Sequence, residues 1–281
     1  MTEINTEFNA ESIYDKLTND IMQTRFNIYE REGYTLDAEG FYICPECNTR
    51  ASHYNEHFGR ITPCDCECKK AKKAKEEQER RIRATEERRN RCFVSEKMKE
   101  HRFSKDNGLN PQITNIMKNY VSNFPELKKD GRGLLIFGST GTGKTFFASC
   151  VGNALIDNGY FVKQTTISRL ASGENFNKQS IIDSFARSDL VIIDDLGTER
   201  QTDFVKQLVF DTIDTFYNEL TPMIITTNLT AEEFKNTTDK ENARVYQRIL
   251  ERCAWVEIKG ESQRVLNIIE NFERDCKLLG I

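Results

Sequence analysis

The sequence predicts an α/β fold, a P-loop nucleotide-binding domain on a parallel sheet, preceded by a small cysteine-bearing module and a charged helical connector. Three observations carry this prediction. Gly138 to Thr145 reads GSTGTGKT, directly after the apolar run Leu134-Leu135-Ile136-Phe137 and directly before Phe146-Phe147-Ala148, which is the strand, glycine loop and helix context of a phosphate-binding loop. Leu190-Val191-Ile192-Ile193 is a run of apolar residues suited to a strand buried on both faces, and it ends in Asp194-Asp195. Five of the nine cysteines lie between residues 44 and 68.

Composition narrows the class. A formal net charge of -4 and 38% hydrophobic residues describe a soluble globular chain. No apolar run approaches the ~18 residues of a membrane span. The first twenty residues are polar and acidic rather than leader-like, so a cytoplasmic location is expected. An odd number of cysteines argues for reduced thiols that hold metal rather than for a disulfide framework. Charge is segregated: residues 1–40 carry nine acids and three bases, residues 69–91 eleven bases and five acids.

In chain order, Ile13, Leu17 and Ile21, with Tyr14 and Phe26 nearby, predict a helix on an acidic background. It serves either its own domain or a docking partner. Cys44-Pro45-Glu46-Cys47 is then followed, after sixteen residues, by Cys64-Asp65-Cys66-Glu67-Cys68. Two close thiolate pairs complete the tetrahedron that Zn²⁺ prefers, and in so short a stretch the metal would supply much of the folding energy. The expected ligands are Cys44, Cys47, Cys64 and Cys66, with Cys68, His53 and His57 as alternates. Residues 69–91 contain no Gly or Pro and almost nothing apolar, and predict a solvated helix supported by neighbouring Glu and Lys/Arg. Such a run is usually only a solvated face, although its positive excess would also suit a phosphate backbone.

The nucleotide chemistry follows. Gly138, Gly141 and Gly143 let the loop aim backbone N–H groups of Ser139, Thr140 and Thr142 inward, and the next helix adds its positive end. Lys144 is expected to reach the β- and γ-phosphates of ATP, and the Thr145 hydroxyl to ligate Mg²⁺. Asp194 would hold Mg²⁺, and Asp195 would orient or activate the attacking water. Met223-Ile224-Ile225-Thr226-Thr227 reads as another strand, with Asn228 at its end placed to position water. Arg244, Arg248 and Arg252 fall on one helix face, ordinarily a solvated or salt-bridged row, from which one arginine could reach a neighbouring subunit's γ-phosphate. A strand around Trp255 to Ile258 and a helix with Val265, Leu266, Ile268, Ile269 and Phe272 on its apolar side complete the chain.

The order of the cysteine module, the charged connector, GSTGTGKT, Val191-Ile192-Ile193-Asp194-Asp195-Leu196-Gly197 with Glu199, Thr226-Thr227-Asn228-Leu229 and Ser262-Gln263-Arg264 resembles the DnaC/DnaI-type helicase loaders within the AAA+ ATPases. The resemblance implies a five-stranded parallel sheet in the order 5-1-4-3-2. It divides the chain into an N-terminal zinc-binding, helicase-gripping module (1–68), a helical linker (69–92) and an AAA+ ATPase domain (93–281). Lys144 and Thr145 then match the Walker A residues, Asp194 and Asp195 the Walker B pair, Asn228 the first sensor, Arg248 the trans-acting arginine finger and Arg264 a further arginine near the nucleotide. The implied activity is ATP-dependent loading of a hexameric replicative helicase onto single-stranded DNA, with ATP-driven assembly into a ring or spiral. Two features depart from the pattern: Asp195 stands where AAA+ enzymes commonly carry glutamate, and the last seventeen residues run past the usual end. An IstB-type transposition helper shares the ATPase motifs but has no evident use for the zinc module. A non-hydrolytic, nucleotide-gated adaptor is the remaining alternative.

Overall fold

A computed structural model describes residues 10–93, 95–172, 178–199, 202–237, 239–260 and 262–281; within helices, the side chains of 10–17, 264, 266, 267, 269 and 270 fall outside that description. The chain forms two compact units, Met1–Arg83 and Ala84–Ile281. The division falls inside one helix, because the charged run between the cysteine module and the P-loop domain forms a continuous helix with no break in its chemistry.

The first unit holds α1 (Ala10–Arg31), the short antiparallel pair β1 (Thr35–Leu36) and β2 (Tyr42–Ile43), the hairpin β3 (Ser52–Asn55) and β4 (Arg60–Pro63), and the start of α2 (Glu67–Cys92). Its core is small: Tyr29, Tyr34, Cys44, Ala51 and Cys66, flanked by Phe26 and Tyr42. The Tyr29 and Tyr34 rings stack at 4.4 Å, and Phe26 stacks on Tyr42 at 5.1 Å. The C-terminal part of α1 therefore serves its own domain. Of the apolar residues that predicted this helix, Ile21 is exposed, and the side chains of Ile13, Tyr14 and Leu17 lie outside those described.

The second unit continues with α3 (Glu96–Lys99), a 3₁₀ turn (Phe103–Lys105), α4 (Pro111–Ser122), α5 (Phe124–Lys129), β5 (Gly133–Phe137), α6 (Lys144–Asp157) and β6 (Val162–Thr165). Then come α7 (Ile167–Ser172), α8 (Lys178–Ala186), β7 (Leu190–Leu196), α9 (Asp203–Asn218) and β8 (Met223–Thr227). The unit ends with α10 (Ala231–Lys235), α11 (Lys240–Arg252), β9 (Cys253–Glu257) and α12 (Gln263–Leu279). The five strands are parallel neighbours in the order β6-β7-β8-β5-β9, which is 5-1-4-3-2 when the strands are counted in chain order and read from the β9 edge.

Strand periodicity explains why helices cover both faces. Alternate residues of a strand point to opposite sides. Leu134, Ile136, Leu190, Ile192 and Ile224 pack with Met117, Phe124, Val151 and Leu155 on one side. Leu135, Val191, Ile193, Met223 and Ile225 pack with Leu208, Ile213, Phe216 and Ile249 on the other. A sheet sandwiched in this way needs continuous apolar runs rather than an alternating pattern, and 134–137, 190–193 and 223–225 are such runs. Along helix α6, Asn153 is fully buried and donates from Nδ2 to the carbonyls of Met98, His101 and Ser149, while its Oδ1 accepts from Arg89 Nε. Arg89 also pairs with Asp157 and Glu86, so the end of α2 is pinned to the P-loop helix and to the segment before α4.

Candidate functional site

Parallel strands present their carboxyl ends to one rim of the sheet, where open α/β folds bind ligands. Three strand ends converge there. β5 runs into the glycine loop, β7 carries Asp194 and Asp195 just before its last residue, and β8 is followed by Asn228. They border a cavity of about 560 Å³. One wall is Thr140 to Phe147 with Asp194, Asp195, Asn228 and Gln263; the other is drawn from Ser95 to Asn110, including Met98 and His101.

The glycines are required sterically. Gly141 has a φ of +87°, and a Cβ there would lie 2.0 Å from Ser262 Oγ; at Gly138 it would lie 2.3 Å from the Ile258 carbonyl oxygen. The Gln263 N–H donates to the Gly141 carbonyl at 2.9 Å, and Asn107 Nδ2 donates to Gln263 Oε1 at 2.8 Å. The segment after β9 is thus fastened to the loop. Of the motif Ser262-Gln263-Arg264, the side chain of Arg264 lies outside those described.

Lys144 is buried and its Nζ donates to the carbonyls of Gly138 (2.9 Å) and Ser139 (2.8 Å) and to Asn228 Oδ1 (2.8 Å). These oxygens stand where phosphate oxygens are the natural partners of a P-loop lysine. Thr145 Oγ1 donates to Asp194 Oδ1 at 2.9 Å, and Thr226 Oγ1 donates to the same oxygen at 2.6 Å. Burial pushes the Asp194 carboxyl above its ordinary value, opposed by these two hydroxyls and by Lys144, while the neighbouring Asp195 adds to the rise. A buried carboxylate beside a threonine hydroxyl is the donor set that Mg²⁺ takes together with phosphate oxygens.

Asp195 has a different environment. Its backbone lies in the left-handed region at φ 57°, a conformation costing about 1–3 kcal/mol outside glycine. The β7–β8 register shifts between Ile193 and Leu196, so this residue leaves the ladder and lines the cavity. The hydroxyl of Thr226 accepts its N–H at 2.9 Å. Sequence reasoning passed over Thr226, one of two buried threonines that end β8.

Of the three arginines on α11, Arg248 pairs with Asp214 and lies 4.9 Å from the Phe210 ring. Arg252 Nη1 donates to the Asp130 carbonyl at 3.0 Å and the group lies over Tyr217, whereas Arg244 is exposed. Among the described residues, none of the three lines the cavity.

In the first unit, Cys44, Cys47, Cys66 and Cys68 bring their sulfurs within 4.8 Å of one another. Cys44 and Cys68 Sγ lie 3.5 Å apart, Cys66 and Cys68 Sγ 3.3 Å. Four thiolates on Zn²⁺ at ~2.3 Å would sit about 3.8 Å apart, so the set fits a tetrahedral ion. The expected ligand Cys64 is displaced by Cys68. Cys64 extends the sheet, its N–H donating to Ala51 O at 2.7 Å and its carbonyl accepting from Tyr29 Oη at 2.6 Å. Helix α2 begins at Glu67, whose N–H is taken by Thr49 Oγ1 at 3.0 Å, and this change from strand to helical period turns Cys66 and Cys68 together. His53 is held near Thr62 and His57 lies against Phe58, both outside the cluster. A hydrogen bond with Thr49 lowers the Cys47 thiol to about 6, whereas a hydrogen bond with Cys66 raises Cys68 and burial raises Cys64.

A P-loop, acidic residues near the end of the third strand, a polar residue after the fourth, and the sheet order above define a P-loop nucleotide-binding protein. More narrowly, the chain belongs to the family of IstB-like ATP binding proteins, which matches residues 66–270. ATP is the nucleotide of that family. The chain is 25% identical over 167 residues to the replicative helicase loader DnaI of Bacillus subtilis (strain 168), covering 54% of this chain and 52% of that protein. It is 29% identical over 105 residues to the replicative helicase loader DnaC of Buchnera aphidicola subsp. Baizongia pistaciae, covering 34% of this chain and 42% of that protein. The chain thus spans about half the length of the curated relatives it matches. A crystal structure of DnaI shares the fold, with a TM-score of 0.52 at 19% identity over 63% of this chain and 98% of that one. Among the described residues, no helix is long and apolar enough to cross a membrane.

Proposed function

We propose that the chain is an ATP-hydrolysing loader that places a hexameric replicative helicase on single-stranded DNA. The observation that carries this is the convergence of Lys144, Asn228, Asp194 and Asp195 on one cavity, in a chain whose curated relatives are named replicative helicase loaders. ATP lies with its phosphates on the loop from Gly138 to Thr145 and its base toward Met98 and His101. Lys144 exchanges the carbonyls of Gly138 and Ser139 for phosphate oxygens. Thr145 and Asp194 hold Mg²⁺, which when bound neutralises charge on the phosphates. Asp195 takes the proton of the attacking water, and Asn228 holds that water in line. Both are cavity residues, and Asp195 is one carbon shorter than the glutamate of other AAA+ enzymes, so turnover is slow.

The four-cysteine unit binds Zn²⁺ and grips the helicase, and α2 connects it to the ATPase. Assembly into a ring or spiral places Arg248 at a neighbour's γ-phosphate. Its Nη1 is buried without a hydrogen-bond partner among the described residues, and its ion pair with Asp214 is partly exposed, so the guanidinium can exchange a carboxylate for a phosphate. The transposition-helper reading shares the ATPase and lacks a use for the thiol cluster.

Asp195→Asn tests the catalytic assignment. It is expected to bind ATP within a few-fold of the wild type and to lose phosphate release by about 10²–10⁴-fold, the usual worth of a positioned base. Steady-state phosphate release and equilibrium binding on the same preparation decide it; turnover equal to wild type removes Asp195 from the chemistry.

A further inference from the structure

Thr226 is fully buried on β8, and its single hydroxyl meets both acids of β7. It donates to Asp194 Oδ1 at 2.6 Å and accepts the Asp195 N–H at 2.9 Å. A hydroxyl has one proton to give and lone pairs to receive with, so both bonds are made at once. The first fixes the carboxylate that also accepts Thr145 Oγ1 at 2.9 Å. The second holds the backbone at the point where β7 leaves its register and Asp195 adopts φ 57°. A β-branched side chain is stiff about its first torsion, which keeps the hydroxyl between the two.

We propose that Thr226 is the positioning residue that sets both acids, orienting Asp194 for Mg²⁺ through its carboxylate and Asp195 for water through its backbone. The inference rests on the ATPase reading above for Asp195 and only on nucleotide binding for Asp194. Thr226 is fully buried, does not line the cavity, and acts through the two aspartates. Outer partners of this kind matter because they fix the ligand's direction before the ion arrives. A purely structural threonine would contribute its methyl group and volume, and valine would replace it. A positioning threonine contributes its hydroxyl, and serine would replace it.

The test uses the full-length chain with Thr226→Val, Thr226→Ser and Thr226→Ala, following binding of a fluorescent ATP analogue across Mg²⁺ concentrations and in EDTA, alongside ATP turnover. Thr226→Val is expected to raise the Mg²⁺ needed for half-maximal tightening of the analogue about 10-fold and to lower kcat about 10–100-fold, with KM nearly unchanged. Binding in EDTA stays at the wild-type value, and Thr226→Ser stays within about threefold of wild type throughout, the range left when a hydrogen bond is kept. Thr226→Ala repeats the comparison should valine fail to fold. A wild-type Mg²⁺ dependence in Thr226→Val, or a Thr226→Ser as impaired as Thr226→Val, overturns the proposal. Should the wild type show no turnover above a Lys144→Ala blank, the hydrolysis reading and the Asp195 half fall together, whereas the Mg²⁺ titration still decides the Asp194 half.

Discussion

Lys144→Ala is expected to leave the chain folded and unable to retain ATP at micromolar concentration. The side chain is buried against the loop and ends on oxygens of Gly138, Ser139 and Asn228. Truncation removes the buried positive charge that the cradle assignment sets against the phosphates. Removing one partner of a buried charge pair costs about 2–5 kcal/mol, which is roughly 30- to 5,000-fold in affinity. Thermal unfolding gives a second readout. At 100 times Kd, bound ATP stabilises by about 2.7 kcal/mol, roughly 5–10 °C for a unit of this size. That shift is expected in the wild type and absent in Lys144→Ala; retention of ATP within threefold of wild type by the variant would refute the cradle assignment.

The second large effect concerns the N-terminal unit. Its core is a handful of residues around Tyr29 and Tyr34, too little to be stable unaided, and four thiols converge beside it. Structural zinc in so small a unit supplies about 10–16 kcal/mol of folding energy, the whole of a domain's usual stability. Cys68→Ser is therefore expected to lose the metal and the amide-exchange protection of residues 34–66. Cys64→Ser should retain both, since Cys64 acts here through its backbone, with its N–H on Ala51 and its carbonyl on Tyr29. Elemental analysis for zinc, with hydrogen exchange by mass spectrometry, distinguishes them. The opposite pattern would reinstate Cys64 as a ligand.

The P-loop domain was largely legible because its signals are local. The loop from Gly138 to Thr145 announces itself by glycines in fixed register with a lysine, and the runs at 134–137, 190–193 and 223–225 are continuous because both faces of the sheet are covered. Asn-Gly is a local helix-stop signal, and α6 does end at Asn158-Gly159, where Asn158 is the C-cap and Gly159 takes φ 92°. What the sequence did not reveal depends on geometry between distant segments. In Cys64-x-Cys66-x-Cys68 the spacing admits two pairs, and the choice turns on where β4 gives way to α2. Threonine is common in strands for its shape, so nothing marks Thr226 as the hydroxyl joining Asp194 to Asp195. The left-handed backbone of Asp195 carries no glycine to betray it. The arginine row was readable as a face of α11, whereas the pairing of Arg248 with Asp214 on α9 required the packed structure.

The loader reading is tested most directly by light scattering after size exclusion, with the full chain and a hexameric replicative helicase mixed in ATP and in ADP, and repeated with Cys68→Ser. The expected result is a large complex in ATP that the cysteine variant does not form. No complex with any replicative helicase, together with ATP-dependent binding to duplex DNA, would contradict the loader and favour the transposition helper.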